Sequence, residues 1–149
     1  RYTPWVVEPA AGVDRTALTF LIDAYEEQAL PDGDVRTVLH FHPEIAPITV
    51  AVLPLVKKEG MPEKASEIDR MLRQARFTTF YDESAAIGRR YRRQDEVGMP
   101  FCVTIDGETL KSDVVTVRHR DSMTQENVKV ADLEAYLRAA MRSWKRPTK

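Results

Sequence analysis

With one cysteine, Cys102, the 149-residue chain can form no internal disulfide, and the position of that thiol between Phe101 and Val103 reads as a buried strand residue rather than a nucleophile. Histidine is almost as scarce. His40 and His42 lie two apart on an extended segment, so both rings face one way, but only Glu44 stands nearby and the third histidine is His119. That supply favours packing or surface histidines over a metal site. Net charge is also lacking: 22 basic and 23 acidic side chains leave −1, which excludes a globally basic nucleic-acid wrapper and makes any such contact local. There is no apolar run of 18 or more residues, and Arg1-Tyr2-Thr3-Pro4-Trp5 lacks a signal-peptide layout. A soluble protein of the cytoplasm or an organelle matrix, without membrane contact, is expected. No internal repeat or low-complexity tract occurs, and the length suits one domain with a small appendage. Because it opens on Arg1 with an extended segment already in progress, the chain is expected to be part of something longer.

Patterning gives the organisation. Residues 5–8 are extended and apolar, residues 9–12 turn, and Asp14 stands at an N-cap position before a helix expected to reach about residue 28, with Leu18, Leu21, Ile22 and Tyr25 on one face. A turn-rich break and an extended piece closed by Pro43 and Pro47 make residues 29–46 a linker. Beyond it strand and helix alternate. Residues 48–56 are nearly all apolar, as a strand buried on both faces requires. Pro62 opens a helix with Ala65, Ile68, Leu72 and Ala75 inward. Residues 77–81 form the next strand, completing a βαβ unit with parallel pairing. Strands at 101–105 and 114–118 follow, joined across 106–113 by a hairpin connection with an Asp-Gly turn, and residues 130–141 close the chain with an amphipathic helix. The expectation is a β-α-β-α-β-β-α domain of α/β class from about residue 47 to the end.

Between the second and third of these strands lies the densest charge. In residues 88–101 four arginines, Arg89, Arg90, Arg92 and Arg93, run through Gly98 and Pro100 into the Phe101 strand. On a helix capped by Ser84, Ile87, Tyr91 and Gln94 share one side and the arginines spread over the opposite half. Guanidinium groups suit phosphate and can stack on bases, so this face fits a folded RNA backbone; it equally fits a solvated charged surface. The Arg118-His119-Arg120-Asp121 strand end is expected to extend the basic surface, and the tail with Lys145, Arg146 and Lys149 reads as a frayed solvated end. Glu8 at a strand end, Gly12 in the turn and Arg15 in the first helical turn could hold an ammonium group and a polyphosphate, or form an ion pair across the turn. Asp82, Glu83, Asp95, Glu96, Asp106 and Asp121 fall at loop and strand ends, and none is assigned a catalytic role.

Five stretches together carry a resemblance: residues 8–15 (EPAAGVDR), 52–58 (VLPLVKK), 87–96 (IGRRYRRQDE), 100–106 (PFCVTID) and 115–118 (VTVR). The chain resembles the C-terminal part of the α2-type glycyl-tRNA synthetases, a class II aminoacyl-tRNA synthetase family. The resemblance implies that residues 1–28 are the motif 3 strand and helix ending a catalytic domain, and that residues 47–149 are an anticodon-binding domain with a mixed sheet and flanking helices. It assigns Glu8 to the amino group of glycine, and Gly12 and Arg15 to ATP. It assigns Arg89, Arg90, Arg92, Arg93 and Arg118 to tRNA-Gly. For a full-length enzyme it implies glycine, ATP and Mg²⁺, and a homodimer; for this segment alone it implies no cofactor and no catalytic competence, because motifs 1 and 2 are absent.

Some positions depart from the family pattern. Ala10 stands where serine is expected, and Gly107 and His119 stand where bulkier and acidic residues are expected. The competing reading is a non-catalytic nucleic-acid binder with the same domain, such as a polymerase accessory subunit or a ribosome-associated protein. Retention of Glu8 and Arg15 argues against it. A third is a plain α/β interaction domain with solvated arginines.

Overall fold

The computed structural model describes every residue except Asp32, Glu59, Thr148 and Lys149, so Lys149 of the tail and Asp32 of the turn-rich break lie outside the described residues. Five strands form one sheet: β3 (Val50–Pro54), β4 (Thr79–Tyr81), β5 (Phe101–Ile105), β6 (Val114–His119) and β7 (Gln125–Lys129), in the order β4-β3-β5-β6-β7. β3 runs parallel to β4 and β5, and the remaining pairs are antiparallel, so the sheet is mixed as expected. Every residue of β3 is buried because both faces are covered. Side chains alternate across a strand. Val50 and Val52 therefore meet Ala65, Ile68 and Leu72 of helix α2 (Met61–Gln74) and Leu133 and Leu137 of helix α5 (Leu133–Ser143). Ala51 and Leu53 meet Ile87 and Tyr91 of helix α3 (Ile87–Glu96) on the other side. Burying each large aliphatic such as Ile68 or Leu72 contributes about 1.5–3 kcal/mol.

The N-terminal third departs most from expectation. Residues 1–12 form neither helix nor strand and are exposed. Helix α1 (Val13–Ala24) is capped by Gly12 rather than Asp14, and it stops four residues short. Tyr25 turns extended, and β1 (Tyr25–Ala29) pairs antiparallel with β2 (Val35–Leu39), with Tyr25 opposite Leu39 and Ala29 opposite Val35. Strand pairing overrides the helical preference of Glu26-Glu27-Gln28, and the segment expected to be a linker carries half of this hairpin. Its end seats against the α3–β5 turn at Gly98 (φ +76), where an added Cβ would lie 2.5 Å from Phe41 Cδ2 and 2.9 Å from the Leu39 carbonyl oxygen.

Other differences are local. Ser84 does not cap α3; Ala86 holds that position, and the Ser84 hydroxyl donates instead to Asp82 Oδ1 at 2.6 Å. Residues 106–113 contain a short helix, α4 (Thr109–Ser112), started by Asp106, whose Oδ1 accepts the Glu108 and Thr109 N–H groups at 3.0 Å each. The strand β7 was not anticipated: only Val128 is buried, and the polar remainder suits an exposed edge.

Candidate nucleic-acid interface

α3 positions the arginine cluster, and it does not turn all four outward. A helix laid on a sheet buries positions i, i+3, i+4 and i+7. Counted from Ile87 these are Arg90, Tyr91 and Gln94, and Asp95 follows Tyr91 by four; Arg90, Gln94 and Asp95 are buried. Arg90, assigned to RNA from the sequence, is 1 % exposed. Its Nη1 donates to the carbonyls of Pro54 at 2.6 Å and Asp82 at 3.0 Å, and its Nη2 donates to Leu55 at 3.1 Å. It therefore clamps the carboxyl ends of β3 and β4 from beneath, and burial lowers its basicity from the ordinary guanidinium value.

Arg118 is corrected in the same way. It reaches inward from β6 and grips Asp95 in both forks, Nη1 to Oδ1 at 2.8 Å and Nη2 to Oδ2 at 2.9 Å, with its Cζ 4.9 Å from the Tyr91 ring centroid. Burial opposes its charge, but the bonds to Asp95 outweigh burial and raise its pKa. Arg36 of β2 closes the arrangement from the hairpin, its Nη1 lying 3.1 Å from Asp95 Oδ2 and 2.8 Å from the Arg120 carbonyl oxygen. Arg120 is internal too, donating to the carbonyls of Gly98 at 2.8 Å and Phe41 at 2.9 Å. The strand end 118–121 thus adds nothing to a basic surface, because acids and carbonyls packed around it take up the guanidinium donors.

What α3 does present is narrower. Arg89 is exposed and Arg92 is half-buried, while the Arg93 side chain is 47 % exposed. Arg93 Nη2 donates to Asp82 Oδ2 at 2.6 Å, the Ser84 carbonyl at 2.8 Å and the Ser84 hydroxyl at 3.0 Å. Burial pushes the Asp82 carboxyl up, but the Ser84 hydroxyl and N–H, with Arg93 and Arg90, outweigh it and hold the group below the usual carboxylate range. Beside this face lies the loop after β3, where Lys57 and Lys58 are exposed and Lys57 Nζ stands 3.3 Å from Glu83 Oε1. Because Arg90 holds the Leu55 carbonyl, the same helix that displays Arg89 and Arg93 also fixes the root of this lysine loop.

The residues assigned to glycine and ATP lie on the exposed N-terminal segment and the first turn of α1. Glu8, Gly12 and Arg15 are all exposed, and no ion pair joins Glu8 to Arg15 among the described residues. The Gly12 carbonyl accepts the Thr16 N–H at 3.0 Å and its hydroxyl at 2.9 Å as the first turn of α1. Among the described residues no cluster of three or more His, Cys, Asp or Glu side chains is placed to hold a metal. His40 packs between Asp121 Oδ1, 2.6 Å from Nδ1, and Glu26 Oε2, 2.9 Å from Nε2, and His42 stacks edge-on against Trp144. Cys102 is buried as expected, and burial pushes its thiol up to about 12.

Compared with known proteins, residues 49–140 match the family model described as an anticodon binding domain. The chain belongs to that family. Outside the anticodon-binding domain the likeness continues toward the N-terminus. The chain is 55 % identical over 137 residues to a glycine–tRNA ligase of Clostridium acetobutylicum, covering 92 % of this chain and 29 % of that protein. It is 49 % identical to a glycine–tRNA ligase of Treponema denticola, covering 98 % of this chain and 33 % of that protein. The chain thus spans about a third of the length of these relatives. Among solved structures, a prolyl-tRNA synthetase of Cryptosporidium parvum superposes with a TM-score of 0.64 at 20 % identity, over 71 % of this chain and 22 % of that one, which supports the anticodon-binding fold alone.

Proposed function

We propose that this chain is the C-terminal portion of a glycyl-tRNA synthetase and grips the anticodon arm of tRNA-Gly so that glycine can be attached to the tRNA at the expense of ATP. The observation that carries the proposal is the coincidence of an anticodon-binding domain over residues 49–140 with glycine–tRNA ligases of about half-identical sequence across nearly the whole chain. Arg89, Arg92 and Arg93, with Lys57 and Lys58, supply the surface that meets RNA phosphates. Arg90 and Arg118 contribute from inside, as positioning residues that hold the loop roots and α3. On this reading residues 1–28 close a catalytic domain in the full-length enzyme, residues 29–46 lead to the anticodon-binding domain at 47–149, and the enzyme is a cytoplasmic homodimer.

In that enzyme Glu8 receives the glycine ammonium and Gly12 and Arg15 meet ATP, the remaining walls of the site and the Mg²⁺ coming from the length this chain does not span. ATP activates the glycine carboxylate, and the chain's own part is to orient: a carboxylate toward the ammonium, a guanidinium toward phosphate. The test is binding of the chain to a tRNA-Gly transcript, to a tRNA of another specificity and to an unrelated duplex DNA at matched salt. Preference for tRNA-Gly is expected. Equal affinity for the duplex would instead identify a non-catalytic nucleic-acid binder on the same fold.

A further inference from the structure

α3 packs over β3 and leaves the edge strand β4 partly open. Phe80 lies opposite Ala51 in register, so its ring projects on the α3 side of the sheet, where it remains 42 % exposed. A cleft of about 330 Å³ opens there, lined by Ile48, Phe80, Val97 and Met99, with Asp82, Ser84 and Arg93 as its polar side chains beside Gln94. That volume is at the small end of the range for ligand sites, roughly 300–1,000 Å³. Its polar part is pre-set. All of Arg93's hydrogen bonds leave from Nη2, so among the described residues Nε and Nη1 make none, while the guanidinium is held in place by Asp82 and Ser84.

We infer that this cleft takes one unstacked nucleobase of the RNA loop. A flat, exposed aromatic ring beside a fixed guanidinium is the pairing that single-stranded RNA uses: the ring accepts a base face, and the free donors meet acceptors on its edge. Cytosine offers O2 and N3, and guanine O6 and N7, so bases of this kind fit Arg93 better than an edge of donors alone. The neighbouring Arg89, Lys57 and Lys58 provide the positive surroundings that a nucleotide's phosphates need, which an apolar peptide segment would not. This inference rests on the RNA-binding reading above and adds to it the place where a base is held.

The experiment measures affinity of the chain for a tRNA-Gly transcript and for transcripts in which one anticodon-loop nucleotide at a time is made abasic. Phe80→Ala is expected to weaken the intact transcript about ten- to hundred-fold without changing the salt slope. Phe80→Leu keeps the apolar volume and should still lose about ten-fold, which separates stacking from folding; thermal melts of both variants check the fold. At one loop position the abasic change should cost the wild type a similar factor and cost Phe80→Ala almost nothing more. Wild-type binding that Phe80→Leu and Phe80→Ala leave unchanged, or abasic penalties that multiply with Phe80→Ala at every position, would overturn the base site alone. Absence of wild-type binding would overturn the RNA reading, and the base site with it.

Discussion

At the residue level, Asp95 has no solvent-exposed side-chain surface and faces two guanidinium groups, Arg36 from the hairpin and Arg118 from the sheet. Two cations around one buried anion need that anion. Replacing it with Asn leaves buried charge uncompensated, for which losses of about 3–5 kcal/mol are usual. Asp95→Asn should therefore shift the urea unfolding midpoint markedly downward. Asp82 gives a pH dependence of defined sign. Its folded carboxyl titrates below its unfolded value, so its stabilisation is complete above the unfolded pKa of about 3.9 and is lost as pH falls through the lower folded value. Asp82→Asn should be less stable than wild type near neutrality, and the two unfolding curves should converge as the solution is acidified below about pH 4. The sequence reading turns Ile87, Tyr91 and Gln94 inward but spreads Arg90 with the other arginines over the outward half and leaves Asp95 among the solvated acids, although the same helical period puts both on the buried side. What hid them was charge, since a sequence shows a guanidinium but not the carbonyls that will receive it.

Among the elements, the β1–β2 hairpin is tied to the sheet domain by polar contacts that cross between them: Arg36 to Asp95 and the Arg120 carbonyl, and, just past β2, the Phe41 carbonyl to Arg120. Arg36→Met should loosen this attachment more than the sheet itself. In hydrogen exchange, amides of Tyr25–Ala29 and Val35–Leu39 are expected to exchange faster while those of β3 and β5 keep their protection. Equal acceleration in β3 would show that hairpin and sheet open as one unit. The sheet elements were readable because β3, β5 and α2 have clean apolar periods. The hairpin was not, because Tyr25-Glu26-Glu27-Gln28 is helix-favouring by itself and becomes a strand only through its partner. β7 escaped notice for a related reason: an edge strand with one buried side chain carries almost no hydrophobic signal.

Over the whole molecule, a net charge of −1 conceals a division of labour among the arginines. Arg36, Arg90, Arg118 and Arg120 are 5 % exposed or less and cannot meet a polyanion, so on the proposed reading the attraction to RNA would fall to Arg89, Arg92, Arg93 and the lysine loop. Arg89→Ala should weaken tRNA binding and reduce the slope of log affinity against log salt by about 1. An unchanged slope would place Arg89 away from phosphate. The family was legible from short stretches spread along the chain, whereas the inner and outer roles of its arginines required the fold. One contact also bears on how the chain comes off the ribosome. Arg36 Nη1 bonds a carbonyl 84 residues downstream. At roughly 5–20 residues per second, the hairpin waits several seconds after it emerges before Asp95, 59 residues on, can reach it, and longer for the chain just past β6 that completes its fastening.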